Sequence, residues 1–380
     1  MNKESYLTSL VFLFFVNCAF SQQPTANNEG SDSAKNQTVE NGRLIFSTGV
    51  RTIFQSRDGD YWFGSQDEGL CRHHGKSFKY FTVEHGLPSN QIISIQEDRE
   101  GNIWVGTLNG VSRFTGEEFE LVPPTQIGFY PLGLSTPTRN KWEKRETDLW
   151  FNAGSQQGVY KYDGLRLDYL PFPTALLPDT DNTYSVTGFS QGKDGMLWIA
   201  TYAGVFGFDG TNFTTINDKT LGFTRSEGRL HVRSILEDSK GRLWIGNNGI
   251  GVVQKQGDTV SNFSREHNKL MPMQEFRANT LAKRFTSNVG LQSVFAIAED
   301  SEGNIWFGDR DTGAWRYDDT ALVNYAIDPN LESNMIWDIY EDHNQNLLFA
   351  TTSGVYEFNG KSFERKFESL RPSRYNPCRH

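Results

Sequence analysis

Ten side chains carry the chemistry this sequence can offer: Asp67, Asn109, Gln157, Tyr202, Arg229, His231, Asn248, Arg310, Asp311 and Trp337. All stand in short polar turns or at the entry to a strand-like run, and Gln66, Gln91 and Asn334 extend the same set. Amides, carboxylates and aromatics converging on one concave surface suit sugar hydroxyls or a polar peptide. Each residue alone reads as an ordinary polar turn residue, so only the collective placement carries weight. His231, next to Arg229 and Arg233, could bind or protonate a substrate; ordinary loop polarity is the simpler and preferred reading. Catalytic spacing is otherwise lacking. There is no His-Glu-x-x-His, Cys-x-x-Cys, Gly-x-Ser-x-Gly or phosphate-cradling glycine loop. His73-His74 follow Cys71 without the further ligands a metal needs, which leaves a solvated strand face. No catalytic set, metal site or cofactor is expected.

The element that must position these residues is a repeat, clearest over Ile92–Phe114. Short runs rich in β-branched and aromatic residues, each closed by Gly, Asn or Asp, read as strands joined by tight turns. Four strands are expected in this copy: Ile92–Gln96, Ile103–Thr107, Val111–Phe114 and Glu118–Val122. The pattern recurs from Arg51, Glu146, Val186, Val232, Val294 and Ile336, giving seven copies. Its tryptophan falls at 62, 104, 150, 198, 244 and 306, with Leu348 in the last copy, at intervals of 42, 46, 48, 46, 62 and 42. An all-strand period of roughly 40–50 residues points to propeller blades rather than a helical solenoid. The fold expected is all-β, a seven-bladed β-propeller of four-stranded antiparallel blades.

Within the unit, the Asp before each turn can accept hydrogen bonds from its own turn amides, and the Gly supplies positive φ. The tryptophan is a wedge for the gap between adjacent sheets, and the Gly two residues later lets neighbouring backbones approach. Asp98, Trp104, Asp238, Trp244, Asp300 and Trp306 are therefore read as structural. Ring closure is open between Arg43–Phe46 adding to the last sheet and the last blade completing itself with Lys361–Phe367. Three stretches depart from the repeat: Pro123–Arg145 with Trp142, the Pro-rich Leu170–Thr183, and His267–Gly290, whose apolar residues could form a short amphipathic helix on one rim.

Residues 1–21 have the layout of a secretory signal peptide, with Lys3, the apolar run Leu7–Val16 and Ala19-Phe20-Ser21 before Gln22. Cys18 opens a lipoprotein alternative, ranked second because Asn17 is bulkier than the small residue that processing expects. Residues 22–42 are too polar to offset ordering and read as a flexible tether, 43–370 as the propeller, and 371–380 as a tail. Net charge −9 and pI near 5.4 argue against nucleic acid or an anionic membrane as partner. No segment is long and apolar enough for a membrane span. Cys71 and Cys378 either pair, which a closed ring would allow, or remain two thiols.

Glu97–Val111 and Glu299–Ala314, with the pattern Glu-Asp-x-x-Gly-Asn-Ile-Trp-x-Gly, resemble the two-component-regulator propeller repeat. The resemblance extends over residues 46–367. It implies the periplasmic sensor propeller of Bacteroidetes hybrid histidine kinases, associated with detecting glycan fragments, here without kinase, β-sandwich or membrane helix. Streptogramin lyase propellers share the Asp-Gly-x-x-Trp core, and the Asp-box of sialidases is a weaker echo at Ser56–Trp62. The expectation is a periplasmic or secreted binding or sensor module that recognises a glycan fragment or a protein partner. A lyase or glycosidase and a purely structural interaction platform are the alternatives.

Overall fold

The computed structural model describes residues 38–40, 44–125, 142–176, 183–221, 229–272, 274–276, 290–328 and 335–367. These form seven antiparallel sheets arranged as a seven-bladed β-propeller. Blade 2 runs Ile92–Glu97, Ile103–Thr107, Gly110–Phe114 and Phe119–Val122, within a residue of expectation at each boundary. Blades 1, 4, 5, 6 and 7 repeat this order from Val50, Val186, Val232, Val294 and Ile336. Blade 3, the copy that lost its Asp-Gly turn, shows three strands among the described residues, beginning at Leu149–Asn152. Thr38–Glu40, inside the stretch read as a tether, pairs with Ser77–Phe81 on the outer edge of blade 1.

Each tryptophan is a wedge between its own blade and the next. Trp62 packs with Ile92 and Ile103 of blade 2, Trp244 with Phe307 of blade 6, and Trp306 with Ile339 and Phe349 of blade 7. In blades 2, 5 and 6 the turn aspartate holds the wedge in place. Asp98 accepts from the amides of Glu100 and Asn102 through one oxygen and from Trp104 Nε1 at 2.8 Å through the other. Asp238 and Asp300 repeat the bond to Trp244 and Trp306 at 2.8 and 2.7 Å. Burial alone would raise the Asp98 carboxyl, yet these donors hold it below its ordinary value. The turn amides were anticipated from sequence; the indole bond was not.

The repeat glycine serves two ends. A Cβ on Gly64 would lie 2.5 Å from Ile92 Cγ2, and one on Gly308 would lie 2.6 Å from Ile336 Cγ2, so these two are sockets for the first side chain of the next blade. A Cβ on Gly246 would lie 2.9 Å from the Val294 backbone oxygen, the close backbone approach expected.

The ring closes between blades 7 and 1, the one interface without a tryptophan. The last blade completes itself with Phe363–Lys366, and Leu44 N donates to Phe367 O at 2.9 Å, so both readings of the closure are partly realised. Val50 and Phe63 pack on Leu348 and Val355. Polar bonds across the seam do the rest. Ile53 N donates to Asp338 Oδ2 at 3.0 Å, His343 N to Gln55 Oε1 at 2.9 Å and Tyr61 Oη to Asp342 Oδ2 at 2.6 Å. Asp342 is the turn aspartate of the copy that has Leu348 for tryptophan, and its spare oxygen takes a tyrosine of blade 1 instead.

Trp142, from the first insertion, stacks on Trp150 and Phe172 and donates to Pro171 O at 2.9 Å. Cys71 is buried, and burial raises its thiol. Cys378, Cys18, the leader and most of His267–Gly290 lie outside the described residues. No helix among the described residues is long and apolar enough to cross a membrane.

Candidate functional site

The first strand of every blade except the third carries a β-bulge at its second residue. The register shifts between Val50 and Thr52, Ile92 and Ser94, Val186 and Gly188, Val232 and Ser234, Val294 and Ala296, and Ile336 and Asp338. A bulge leaves its extra residue out of the ladder and re-aims that side chain. The six bulged residues are Arg51, Ile93, Thr187, Arg233, Phe295 and Trp337, and all six line one cavity of about 540 Å³. The first residue of each of these strands keeps the sheet packed: Val50, Ile92, Val186, Val232, Val294 and Ile336 are all buried. One backbone irregularity, repeated, therefore delivers six different side chains to one place.

The ring is asymmetric. From blade 5 round to blade 1 it reads Arg233, Phe295, Trp337, Arg51; from blade 2 to blade 4 it reads Ile93 and Thr187. Arg233 lies over the Phe295 ring at 4.6 Å and the Tyr202 ring at 4.9 Å, and its Nη1 donates to Tyr202 Oη at 3.2 Å. Phe295 meets Trp337 edge-to-face at 5.6 Å. Arg51 lies 5.6 Å from the Trp337 ring and donates from Nη1 to Gln66 Oε1 at 3.2 Å. Burial pushes Arg51 below its ordinary value, and the Arg233 charge adds to this. Arg233 is lowered chiefly by burial too, with Arg310 contributing. Both remain guanidinium ions at any working pH.

One carboxylate, Asp338, also lines the cavity. Its oxygens accept from Ile53 N at 3.0 Å and Ile339 N at 2.9 Å, and burial pushes its carboxyl up to about 6. It ties blade 7 to blade 1. A second cavity of about 340 Å³ adjoins the first beside the inner edge of blade 3 and shares Ile93, Asn152 and Thr187 with it.

The family described as "Two component regulator propeller" matches residues 86–109, 227–249 and 289–311. Each match runs from an inter-blade loop through a first strand into the second strand and the turn beyond it. Blades 2, 5 and 6 thus carry repeats that match this family. "Histidine kinase P4" of Formosa agariphila is 23% identical over 48% of this chain and 17% of its own length. Among solved structures, the extracellular domain of the hybrid two component system BT3049 from B. thetaiotaomicron aligns with TM-score 0.60 and 20% identity. It covers 83% of this chain and 39% of that one. The extracellular domain of BT4673 from the same organism aligns at 0.58 and 22%, over 84% and 39%. A streptogramin B lyase aligns at 0.57 and 14%, over 84% and 96%. This chain thus spans well under half the length of the kinase-type relatives, and the structural likenesses at these identities show the fold alone.

The propeller gathers some of the ten expected site residues and leaves others apart. Tyr202 and Trp337 line the main cavity. His231 stands edge-on to Tyr202 at 5.0 Å, and burial, reinforced by the Arg233 charge, lowers its imidazole to about 4. A neutral ring at physiological pH is a poor proton donor, which weakens the acid role considered for it. Asn248, Arg310 and Asp311 form a neighbouring cluster. Arg310 donates to both oxygens of Asp311 at 2.7 and 2.8 Å, while Asn248 Oδ1 accepts from Ser293 Oγ at 3.0 Å. Arg229 is half-buried outside the cavity lining, and Asp67, Asn109 and Gln157 are exposed turn residues. Asn334 lies outside the described residues.

Sequence reading missed Arg51, Ile93, Thr187 and Phe295 as a set and treated Arg233 only as a neighbour of His231. A signal was available. In the aligned copies the second residue of the first strand is Arg, Ile, Thr, Arg, Phe and Trp, whereas the first is always Val or Ile. A position that varies directly after a constant apolar residue is one the repeat does not need for packing.

Proposed function

We propose that this propeller is a ligand-recognition module of sensor type, exported to the periplasm or beyond, and that it captures a glycan fragment at the channel mouth. The observation that carries this reading is the bulge ring: six blades direct six side chains of five chemical types into one cavity. Its size falls in the range of ligand pockets, roughly 300–1,000 Å³. Amides and hydroxyls such as Gln66, Gln91, Asn152 and Ser185 stand beside the aromatics in the wall, a mixture suited to sugar hydroxyls. Export is supported by the leader-like N-terminus and by the extracellular origin of the structural neighbours. The alternatives of a docking platform for a protein and of a propeller enzyme become outcomes of the test.

That test is a thermal-shift screen of the chain against an oligosaccharide panel, with each mixture then checked for product. A ligand that binds only the native state raises apparent stability by mass action. A shift lost in Trp337→Ala supports the reading. A shift that survives Trp337→Ala moves the site elsewhere, product formation replaces recognition with catalysis, and silence across the panel refutes glycan capture in favour of a protein partner.

A further inference from the structure

The arginine half of the ring carries a charge that nothing in the wall neutralises. Among the described residues, neither Arg51 nor Arg233 has a carboxylate within 4.0 Å. Elsewhere several buried or half-buried arginines are paired: Arg72 with Asp60, Arg242 with Asp238 and Asp319, Arg310 with Asp311. In a chain of net charge −9, acidic partners are plentiful, so two cations left without one in a single cavity form a local exception. Their neighbours are ring faces and neutral oxygens, which fix the direction of a guanidinium without cancelling its charge. Arg233 Nε is buried and lacks a hydrogen-bond partner, as are Thr187 Oγ1 and Ser234 Oγ, residues that line the same cavity. Asp338 makes no ion pair with either arginine, and its oxygens point to the amides of Ile53 and Ile339.

A partly buried, unpaired cation is costly, and two that repel one another are costlier. A protein keeps such a pair where a ligand brings the counter-charge. We propose that Arg51 and Arg233 form a subsite for the anionic group of an acidic sugar, a carboxylate or a sulfate, at the mouth of the channel. The planar guanidinium presents a donor fork that matches either group. The amides of Gln66 and Gln91 lie within the same wall for the ring hydroxyls. This subsite rests on the reading that the channel is a glycan-recognition site and names the class of glycan.

The test is isothermal titration of the full chain with four probes: digalacturonic acid, glucose 6-sulfate, neutral galactobiose and inorganic sulfate. The expected result is binding of one or both acidic sugars, with the neutral disaccharide and inorganic sulfate at least about tenfold weaker. Arg51→Gln and Arg233→Gln should each weaken the acidic sugar at least about tenfold, the scale of a charge-assisted hydrogen bond. Arg51→Lys and Arg233→Lys, which keep the charge and lose the fork, should fall between. Rising KCl should weaken binding to the wild-type chain, a readout that stands even if a Gln variant fails to fold. Preference for uronate over sulfate, or the reverse, assigns the source of the anion. Equal affinity for the neutral disaccharide overturns the anionic subsite while leaving the channel reading intact. Inorganic sulfate binding as tightly as the sugars overturns the sugar part, and acidic-sugar binding indifferent to both arginines and to salt overturns the placement. No binding by any probe overturns the subsite, and the oligosaccharide and protein-partner screens then decide the channel reading separately.

Discussion

Two sets of residues recur around this ring, and they recur in opposite ways. At the outer end of the first hairpin, Asp98, Asp238 and Asp300 are the same residue making the same bonds to Trp104, Trp244 and Trp306. At the inner end, the bulged position has the same backbone in six blades and a nearly different side chain in each. Uniform side chains on uniform backbone hold blades together, because each interface poses the same packing problem. Varied side chains on uniform backbone face something that is not a blade. The comparison separates scaffold from site within one strand pair, over a distance of a few residues.

The scaffold half predicts the largest losses. Trp244 is fully buried between blades 5 and 6, so Trp244→Ala should cost about 3–5 kcal/mol in urea unfolding. A cost under about 1 kcal/mol would mean that the wedge is dispensable. Asp338 belongs to both halves, lining the cavity and bonding across the seam, and it should reveal itself by pH. Its folded carboxyl is raised to about 6, so the native state holds a proton that the unfolded chain releases near 4. Its contribution is complete below about pH 4 and lost as pH rises through 6, by up to about 3 kcal/mol. Asp338→Asn should remove that decline; an unchanged profile between pH 4 and 7 contradicts the assignment. Asp300→Ala leaves Trp306 Nε1 buried without its acceptor, an expected loss of about 1–3 kcal/mol, checked by the same unfolding curve.

The site half supplies an effect of the opposite sign. His231 is held neutral down to about pH 4, so its contribution is present above the ordinary histidine value and lost as pH falls through that interval toward 4, opposite in sign to Asp338. His231→Ala should flatten the difference between pH 6.5 and pH 4 without abolishing ligand binding at pH 7. Loss of a measured turnover on that change would instead place the imidazole in chemistry.

Much of the fold was legible in the sequence because the packing problem repeats. Tryptophan spacing gives the blade count, and Gly and Asp punctuation gives strand ends to within a residue in blade 2. Blade 3 was the weakest copy in sequence, and among the described residues it is the sheet with three strands. The closure was not legible, since Asp338, Tyr61 and Asp342 meet only when residues about 280 positions apart are brought together. The site was half legible for a related reason. Turn residues advertise themselves by polarity, so Asp67, Asn109 and Gln157 drew attention and prove to be exposed turns. A bulge residue inside a strand carries no compositional mark, and Arg51, Thr187 and Phe295 passed as strand residues until the register shift exposed them.

The most direct measurement compares one residue type at the two positions. Trp306 wedges blades 6 and 7, and Trp337, about 30 residues later, projects from the bulge into the channel. Urea unfolding of Trp306→Ala and Trp337→Ala should show a loss of about 3–5 kcal/mol for the first and about 1 kcal/mol or less for the second. Equal losses at the two positions would contradict the division of this ring into a repeated scaffold and a non-repeated site.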